Sequence, residues 1–362
     1  MKCMSSITKY LATPFTLYIT PRVIYSKYMT DSNDRIILTG IKPTGTPHIG
    51  NYLGAIEPAL RRASEYTEAF FFIADYHALN SVHDGETMKE LTRNLAATWL
   101  AAGLNPSKMH LYRQSDIPEI FELTTILNNF VPKGWMNKMH SYKASVDKNR
   151  EAGKTDDNDV NMGLFVYPIL MTSDILIFNT THVPVGRDQI QHVEIARDIA
   201  QRFNKQYADS IFVLPEHVIA DGIAELPGID GRKMSKSYGN VIPLFAGRDA
   251  WEQAVRKVVT DSIDHTDETV RQTPLFKIYA SIAPENKANR LAHELVERTI
   301  GWKEAKDRLL AALEERFSEQ SARYEELVKN PDYIDSIMAE GAAKVRPIAQ
   351  EKLAHVKQVL GF

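Results

Sequence analysis

The chain has 362 residues, 44% of them hydrophobic and 25% charged, which is the composition of a globular protein with room for one large domain and a smaller one. Its single cysteine, Cys3, excludes a disulfide framework and a cysteine-based zinc site. The net charge of −3 requires a nucleic-acid partner to meet a local basic patch, and no apolar run approaches the roughly 18 residues of a membrane span, so we expect no membrane partner.

The N-terminal residues 1–28 differ in composition from the rest of the chain. They are rich in Ser and Thr, lack acidic residues, and carry the cations Lys2, Lys9, Arg22 and Lys27. An organellar transit peptide has this composition, and an upstream extension with Met29 as the natural start is the other interpretation. We favour the extension, because the segment has one arginine and no clear amphipathic helix. We therefore assign residues 1–33 to a poorly ordered extension and expect a cytoplasmic protein.

The first predicted strand is RIILTG, Arg35 to Gly40, because a short apolar run closed by glycine is typical of a buried strand. A turn follows, and at about His48 a helical spacing of apolar residues begins. The glycines of GTPHIG are spaced as in a phosphate-binding loop, but Asn51 stands where that loop has its lysine. The N–H groups of the helix N-terminus, with His48 and Gly50, are candidate phosphate contacts. A glycine turn beside a surface histidine is the alternative.

Strand and helix patterns continue to alternate along the chain. AFFFIADYHAL predicts a second buried strand with a polar end at Asp75 to His77, ETMKELTRNLAATWLAAGL predicts an amphipathic helix, and KMHLYRQSD predicts a third strand. This order predicts an α/β fold with a doubly wound parallel sheet. The polar residues 148–159 predict a mobile loop, and strand patterns end at about Arg248. We therefore predict a Rossmann-like catalytic domain over residues 34–247 and a helical region over residues 248–362.

The stretch GRKMSKSYGN places Lys233 and Lys236 three residues apart, between glycine and serine neighbours. A mobile, water-excluding loop with cations is suited to closing over phosphates during phosphoryl or nucleotidyl transfer. A solvated basic loop is the alternative interpretation.

In YPILMTSD, Tyr167, Met171 and Asp174 stand at i, i+4 and i+7, which places them on one face of a helix. An unpaired carboxylate in this apolar run would cost several kcal/mol, so Asp174 needs a hydrogen-bond donor. The donor comes either from the protein, which makes Asp174 a structural residue, or from a ligand.

The HIGN and KMSKS stretches together resemble the paired signatures of the class I aminoacyl-tRNA synthetases, with Asn51 in place of the usual second histidine. The tyrosyl members have a pattern similar to Y-x-x-x-Q-x-x-D in the helix of the amino-acid pocket, whereas this chain has Met171 at the glutamine position. Methionine there resembles the tryptophanyl pocket, in which it packs on the indole while the aspartate accepts the indole N–H. The segment from Arg35 to Phe245 is similar to the bacterial tryptophanyl-tRNA synthetases. The helical tail resembles them more weakly.

The resemblance implies a tryptophan–tRNA ligase that uses ATP and Mg²⁺ to make tryptophanyl-adenylate from L-tryptophan and then charges tRNA(Trp). It implies catalytic roles for His48, Lys233 and Lys236, and no metal site built from protein side chains. The implied ATP-binding residues are Lys42, Thr44, His48, Gly50, Asn51, Gly186, Asp188, Lys233, Met234, Ser235, Lys236 and Ser237. The implied tryptophan-binding residues are Leu38, Gly40, His77, Tyr167, Met171, Asp174, Val183, Val185 and Gln189.

The resemblance also implies a homodimer, to which residues 130–143 contribute, and binding of the tRNA anticodon by the helical tail. Residues 341–362 contain a single acidic residue, Glu351, and the cations Lys344, Arg346, Lys352 and Lys357. Such a cluster is the local basic patch that a nucleic acid requires.

The chain departs from the family pattern at a few positions. Leu38 and Lys42 stand where the family often has an aromatic residue and a glutamine, and Ser141 stands where some members have glutamine. Three alternatives remain open: a tyrosyl-tRNA synthetase, a small nucleotidyltransferase, and a synthetase-like RNA-binding protein without catalysis. Met171 argues against the first, the KMSKS loop and helical tail against the second, and the intact signature residues against the third.

Overall fold

The computed structural model describes residues 35–219, 225–260 and 264–362. These residues form a five-stranded sheet in the order β3-β2-β1-β4-β5, and all neighbouring strands run parallel. The strands are β1 (Ile36–Ile41), β2 (Glu68–Ile73), β3 (His110–Arg113), β4 (His182–Val185) and β5 (Glu216–Ile219). The doubly wound parallel sheet predicted from the sequence is confirmed. The predicted extension, residues 1–33, lies outside the described residues.

Helices connect the strands and make up the C-terminal part of the described chain. They are α1 (Ile49–Asn51), α2 (Glu57–Ala63), α3 (Asp75–Ala78), α4 (Gly85–Ala101), α5 (Glu119–Asn128), α6 (Lys133–Met136), α7 (His140–Glu151), α8 (Met162–Leu176), α9 (Ile190–Tyr207), α10 (Gly247–Arg256), α11 (Asp267–Gln272), α12 (Pro274–Ile282), α13 (Glu285–Val296), α14 (Trp302–Val328) and α15 (Pro331–Leu360). A π-helical stretch, Tyr52–Ile56, joins α1 to α2 without a break. Residues 34–362 form one compact unit.

The central strands β1 and β2 are mostly apolar and buried, because both faces of the sheet are covered. Alternate residues enter two separate hydrophobic cores. Ile37 and Phe71 pack in the core that includes α4, whereas Leu38 and Phe72 pack in the core that includes α8 and α9. At the end of β1, a Cβ atom on Gly40 would lie 2.2 Å from the Phe72 ring, so glycine leaves the space that this ring occupies.

The strand order reverses between β1 and β4. From β1 the chain builds outward through β2 to β3, and then returns to the other side of β1 to build β4 and β5. Ligands of doubly wound sheets bind outside the carboxyl ends of the strands at such a switch point. The residues that follow β1 and β4 are therefore candidates for a ligand-binding site.

The last helix, α15, lies against the edge strand β3. A Cβ atom on Gly341 would lie 1.9 Å from the Leu111 carbonyl oxygen, so the helix backbone touches the strand backbone there. The basic residues of the predicted patch on this helix have hydrogen-bond or ion-pair partners in α5 and in neighbouring segments. Arg346 binds Glu119 at 2.9 Å, Lys357 binds Glu122 at 2.6 Å, and Lys352 donates to the Ile211 carbonyl at 2.6 Å.

The loop predicted over residues 148–159 is wrong at its start, because Lys148–Glu151 is the last turn of α7. The turn that follows is closed by Asn149, whose Nδ2 donates to the carbonyls of Asp156 and Asn158. Within the described ranges, no helix is long and apolar enough to cross a membrane.

Candidate active site

Two adjoining cavities open at the switch point of the sheet. Their volumes are about 540 Å³ and about 490 Å³, a size that suits small-molecule ligands. The two share the wall residues Thr44, Asn51, Gly54 and Lys236. We call the first the large cavity and the second the loop cavity.

The structure brings nearly all the residues selected from the sequence to these two walls. The large cavity is lined by Leu38, Gly40, Lys42, Thr44, Asn51, His77, Tyr167, Met171, Asp174, Val183, Val185, Gly186, Asp188, Gln189 and Lys236, among others. The loop cavity is lined by Thr44, His48, Gly50, Asn51, Lys233, Met234, Ser235 and Lys236, among others. Ser237 lines neither cavity, and its hydroxyl is hydrogen-bonded to that of Ser235 at 2.8 Å.

The apolar end of the large cavity lies between α8 and β4. Helix α8 begins at Asn161, whose side chain caps the N–H of Leu164, and it is apolar apart from a few positions. One face of α8 presents Tyr167, Met171 and Asp174 to the cavity, as the i, i+4, i+7 spacing predicted. The opposite wall comes from β4. An aromatic side chain fits the chemistry of this end.

Asp174 is the polar group at this apolar end, and its side chain is only 1% exposed. His77 Nε2 donates to Oδ2 at 3.0 Å, and Gln114 Nε2 donates to Oδ1 at 2.9 Å and to Oδ2 at 3.0 Å. Burial raises the pKa of Asp174, and the hydrogen bonds from His77 and Gln114 oppose that rise. The protein thus supplies donors to a carboxylate that also faces a ligand cavity, so both sources considered from the sequence remain compatible with its geometry.

The sequence reasoning missed Gln114, although a signal for it existed. Gln114 directly follows β3 in the stretch YRQSD, and polar residues at the carboxyl end of a parallel strand meet the ligand crevice. His77, which the family resemblance implied, lies in the corresponding region after β2.

A second polar pair joins the cavity wall to a buried histidine. The Tyr167 hydroxyl and His192 Nε2 are hydrogen-bonded at 2.6 Å, and burial lowers the pKa of His192 to about 4. His192 lies in the first turn of α9, three residues after Gln189. It therefore holds Tyr167 as a neutral imidazole. Nothing in the sequence pattern singled out His192, because it sits among ordinary helix residues.

The loop cavity is built on the HIGN stretch at the start of α1. The His48 N–H donates to Asn51 Oδ1 at 3.1 Å, so the asparagine that replaces the second histidine fixes this turn. Burial, followed by the charge of Lys236, lowers the pKa of His48 to about 4. His48 is therefore neutral at pH 7, and its Nδ1 is buried without a hydrogen-bond partner in the described part of the chain. The ring offers a ligand a hydrogen bond rather than a charge.

Backbone hydrogen bonds tie the HIGN stretch to the segment that follows the KMSKS loop. The Ile49 N–H donates to the Ile242 carbonyl at 3.1 Å, and the Leu244 N–H donates to the Pro47 carbonyl at 3.1 Å. Two stretches far apart in sequence therefore form one side of the loop cavity.

The two lysines of the KMSKS loop have protein partners of different kinds. Lys236 Nζ donates to the Gly45 carbonyl at 2.7 Å, and burial lowers the pKa of Lys236. Lys233 Nζ contacts Glu225 Oε1 at 2.6 Å in an exposed pair, and this hydrogen bond raises the pKa of Lys233. Gly45 has φ +126°, which only glycine adopts readily, so its carbonyl reaches Lys236 from a backbone that other residues would strain.

Asn240, which was not among the site residues predicted from the sequence, holds the KMSKS loop in shape. Asn240 is 2% exposed and accepts the Ser235 N–H at 2.8 Å. Its Nδ2 donates to Asp230 Oδ1 at 2.7 Å and to the Lys233 carbonyl at 3.0 Å. One buried amide therefore connects the backbone on both sides of Met234. In the described part of the chain, no group of three or more His, Cys, Asp or Glu side chains could hold a metal ion.

Comparison with known proteins agrees with this geometry. The family of class I tRNA synthetases (W and Y) matches residues 30–318. The tryptophan–tRNA ligase of Bordetella parapertussis is 49% identical over 329 residues, which are 90% of this chain and 73% of that protein. The corresponding ligase of Neisseria meningitidis is 46% identical over 329 residues, 90% of this chain and 97% of that protein.

A solved structure gives the same result. The tryptophanyl-tRNA synthetase of Campylobacter jejuni, complexed with ADP and tryptophan, is 38% identical and superimposes with a TM-score of 0.82 over 90% of this chain and 100% of that chain. Family match, sequence identity and fold agree over most of the length, and the chain therefore belongs to the tryptophan–tRNA ligase family of class I tRNA synthetases.

Proposed function

We propose that this protein activates L-tryptophan with ATP, forming tryptophanyl-adenylate and pyrophosphate, and then transfers the tryptophanyl group to tRNA(Trp). One observation carries the choice of tryptophan: a single buried carboxylate, Asp174, faces the apolar end of the large cavity beside Met171. An ionised carboxylate only accepts hydrogen bonds, so it suits the N–H of an indole. Met171 lines this end at the position where the tyrosyl pattern has glutamine, so the pocket offers an apolar thioether there instead of an amide.

ATP is proposed to lie across the carboxyl ends of β1 and β4, with its phosphates in the loop cavity. Gly186 and Asp188 line the large cavity directly after β4, where Asp188 can accept hydrogen bonds from a ribose. A Cβ atom on Gly186 would lie 2.8 Å from Asp188 Oδ1. Glycine at this position therefore avoids a close contact with the Asp188 carboxylate. Lys42 also lines the cavity, with Nζ 5.9 Å from the centre of the Tyr167 ring, and offers a further cation.

In the first step, the tryptophan carboxylate attacks the α-phosphate in line, and pyrophosphate leaves. The attacking carboxylate is already ionised at pH 7, so the reaction needs no general base. Catalysis then comes from positioning and from stabilising the charge on the leaving pyrophosphate. Lys233 and Lys236 supply positive charge, and the neutral His48 ring supplies a hydrogen bond from the start of α1. The terminal ribose hydroxyl of the tRNA then attacks the adenylate and releases AMP.

Mg²⁺ is proposed to enter as the counter-ion of ATP. Mg²⁺ characteristically binds substrate phosphates and keeps several waters. Its positive charge would add to that of the two lysines in the loop cavity.

We further propose a homodimer. Exposed apolar side chains support a self-association surface beside the tryptophan end of the large cavity: Tyr76 and Leu79, in and directly after α3, and Met162 at the start of α8 are 39%, 48% and 67% exposed. A Cβ atom on Gly163 would lie 2.8 Å from Asn80 Oδ1, so the two segments adjoin. Residues 130–143 are proposed to contribute as well. Sedimentation equilibrium of the full chain tests this state.

The helical region over residues 248–362 is proposed to contact the tRNA, and the cytoplasm is proposed as the site of action. Arg346 and Lys357 of α15 are paired with carboxylates of α5, so a phosphate that binds them has to compete with Glu119 and Glu122. Binding of tRNA(Trp) with its salt dependence measures how many phosphates the protein contacts.

Amino-acid-dependent exchange between pyrophosphate and ATP, measured over a panel of amino acids, tests the proposed reaction. Exchange with tryptophan alone is the expected result. Exchange that prefers tyrosine would identify a tyrosyl enzyme, and no exchange with any amino acid would indicate a non-catalytic RNA-binding protein. Charging of tRNA(Trp) by the same preparation then tests the second step.

A further inference from the structure

We propose that Gln114 is a positioning residue that gives the tryptophan pocket its selectivity for an indole N–H, by holding both oxygens of Asp174 from behind the cavity wall. This inference rests on the proposed tryptophan activation. It adds a residue that touches no substrate and acts through Asp174.

The position of Gln114 separates it from the residues that meet a ligand. Gln114 is fully buried at the end of β3 and does not line the large cavity, whereas Asp174 and His77 do. Gln114 therefore approaches the carboxylate from the protein side. This contact joins the end of β3, which is the edge strand, to α8, which forms part of the cavity wall.

The geometry of the contact fixes the plane of the carboxylate. The Gln114 amide nitrogen is 2.9 Å from Oδ1 and 3.0 Å from Oδ2, while His77 contacts only Oδ2, at 3.0 Å. A single donor between both oxygens resists rotation of the carboxyl group about its own axis. An oxygen has room for about two hydrogen bonds, so Oδ1 keeps an acceptor site for the cavity.

The chemistry of an amide suits this task better than that of a cation. A neutral donor stabilises the anion through hydrogen bonds without adding a charge that would pair with it outright. The titratable groups that face Asp174 are His77 from α3 and Tyr112 from β3, and the negative charge of Asp174, after burial, raises the pKa of Tyr112. Without the Gln114 donor, burial would act on Asp174 with less opposition and favour the protonated form.

The orientation of the Gln114 amide has a visible cost. Its Oε1 is buried without a hydrogen-bond partner among the described residues. The side chain thus satisfies the carboxylate of Asp174 and leaves its own acceptor unpaired. A residue that only filled space would be replaceable by an apolar side chain of the same length.

The test compares Gln114→Met with wild type in the exchange reaction, using tryptophan and its benzothiophene analogue, in which sulfur replaces the indole N–H. Methionine keeps the length and removes the donor. We expect kcat/KM for tryptophan to fall about 10- to 100-fold, the range for a hydrogen bond to a charged group. The analogue, which makes no N–H bond, should change less than about threefold if packing is intact. The KM for ATP should not change.

A second readout is the pH dependence of the tryptophan KM. As the pH is lowered, we expect this KM to begin to rise at a higher pH in the variant than in wild type, because loss of the Gln114 donor leaves burial less opposed and raises the pKa of Asp174 further. Thr124→Ala is the matched control, because Thr124 Oγ1 binds Ser173 Oγ, next to Asp174, without reaching the carboxylate. The control should affect both substrates equally.

Several outcomes would overturn the proposal. Equal losses for tryptophan and the analogue, or unchanged discrimination with the pH profile of wild type, would make Gln114 a packing residue. If Gln114→Met does not fold, Gln114→Asn, one methylene shorter, must show the same loss of discrimination. Wild-type protein without tryptophan-dependent exchange would instead refute the proposed function, so the two failures are distinguishable.

Discussion

The two ends of the active-site region are held in different ways. The apolar end of the large cavity is made of regular elements, and its buried carboxylate on α8 already has donors from His77 and Gln114. The loop cavity is made of two loops, and its cations contact Glu225 and the Gly45 carbonyl, which are partners that a phosphate would replace. A pocket that selects a substrate benefits from groups fixed before binding, whereas charge stabilisation benefits from groups that change partners during the reaction.

The largest expected effect comes from Lys236→Ala at the exchangeable end. If Lys236 acts on the charge of the leaving pyrophosphate, kcat for tryptophan-dependent exchange should fall about 10²–10³-fold, with a much smaller change in the KM for ATP. Arg232→Ala is the control, since Arg232 is exposed, pairs with Asp230 and lines neither cavity. A raised KM for ATP at unchanged kcat would mean that Lys236 only holds the nucleotide.

At the fixed end, Asp174→Asn should act on substrate selection. The amide keeps one acceptor oxygen but brings an NH₂ group towards the donors of His77 and Gln114, so kcat/KM for tryptophan should fall about 10- to 100-fold. The rejection of phenylalanine should weaken at the same time. Asp116→Asn, at an Arg113 pair outside the cavities, should leave both unchanged. Wild-type kcat/KM and selectivity in Asp174→Asn would remove Asp174 from the pocket assignment.

Two buried histidines, His48 at the loop cavity and His192 beside the apolar end of the large cavity, should make the fold sensitive to acid. The folded-state pKa values of His48 and His192 are lowered from 6.5 to about 4, so the unfolded chain binds more protons between these values. Stability is therefore present above pH 6.5 and is lost as the pH falls towards 4, by about 2 kcal/mol per histidine at pH 5. Urea unfolding at pH 7 and pH 5 measures this loss.

Replacement of one histidine isolates its share of that acid sensitivity. His192→Phe should reduce the difference in unfolding free energy between pH 7 and pH 5 by about 2 kcal/mol. His265→Phe is a matched histidine change outside both cavities. An undiminished difference in His192→Phe would mean that His192 is protonated in the folded protein.

The smallest expected effect on stability is that of Lys233→Ala. Its pair with Glu225 is exposed, and such pairs contribute about 0–1 kcal/mol. The unfolding free energy should therefore stay within about 0.5 kcal/mol of wild type, while the exchange rate falls. A loss of stability without loss of rate would make the pair a structural feature and erase the contrast between the two ends.

Local patterns in the sequence were sufficient for the elements and for much of the site. Apolar runs predicted β1 and β2, and the i, i+4, i+7 spacing placed Tyr167, Met171 and Asp174 on one face of α8. The HIGN and KMSKS stretches line one cavity, as their family resemblance implied. Each of these features depends on residues that are near one another in sequence.

The features that were missed depend on contacts between distant residues. Gln114 and Asp174 are 60 positions apart, and nothing in either stretch alone shows that they meet. The pairing of the basic residues of α15 could not be predicted, because their acidic partners, Glu119 and Glu122, lie far away in sequence, in α5. The end of α7 read as a loop because its polar residues bind the following turn rather than solvent.

The contact between α15 and β3 has a consequence for self-association of the chain. β3 is an edge strand of the described sheet, and such an edge presents backbone groups on which another chain can form a further strand. Gly341 allows α15 to approach the Leu111 backbone closely enough to cover this edge. The opposite edge, β5, has only four residues and begins with Glu216 and His217, both exposed, which blunts it by shortness and polarity. By covering this edge, the final helix hinders aggregation through β3, whether or not it also binds RNA.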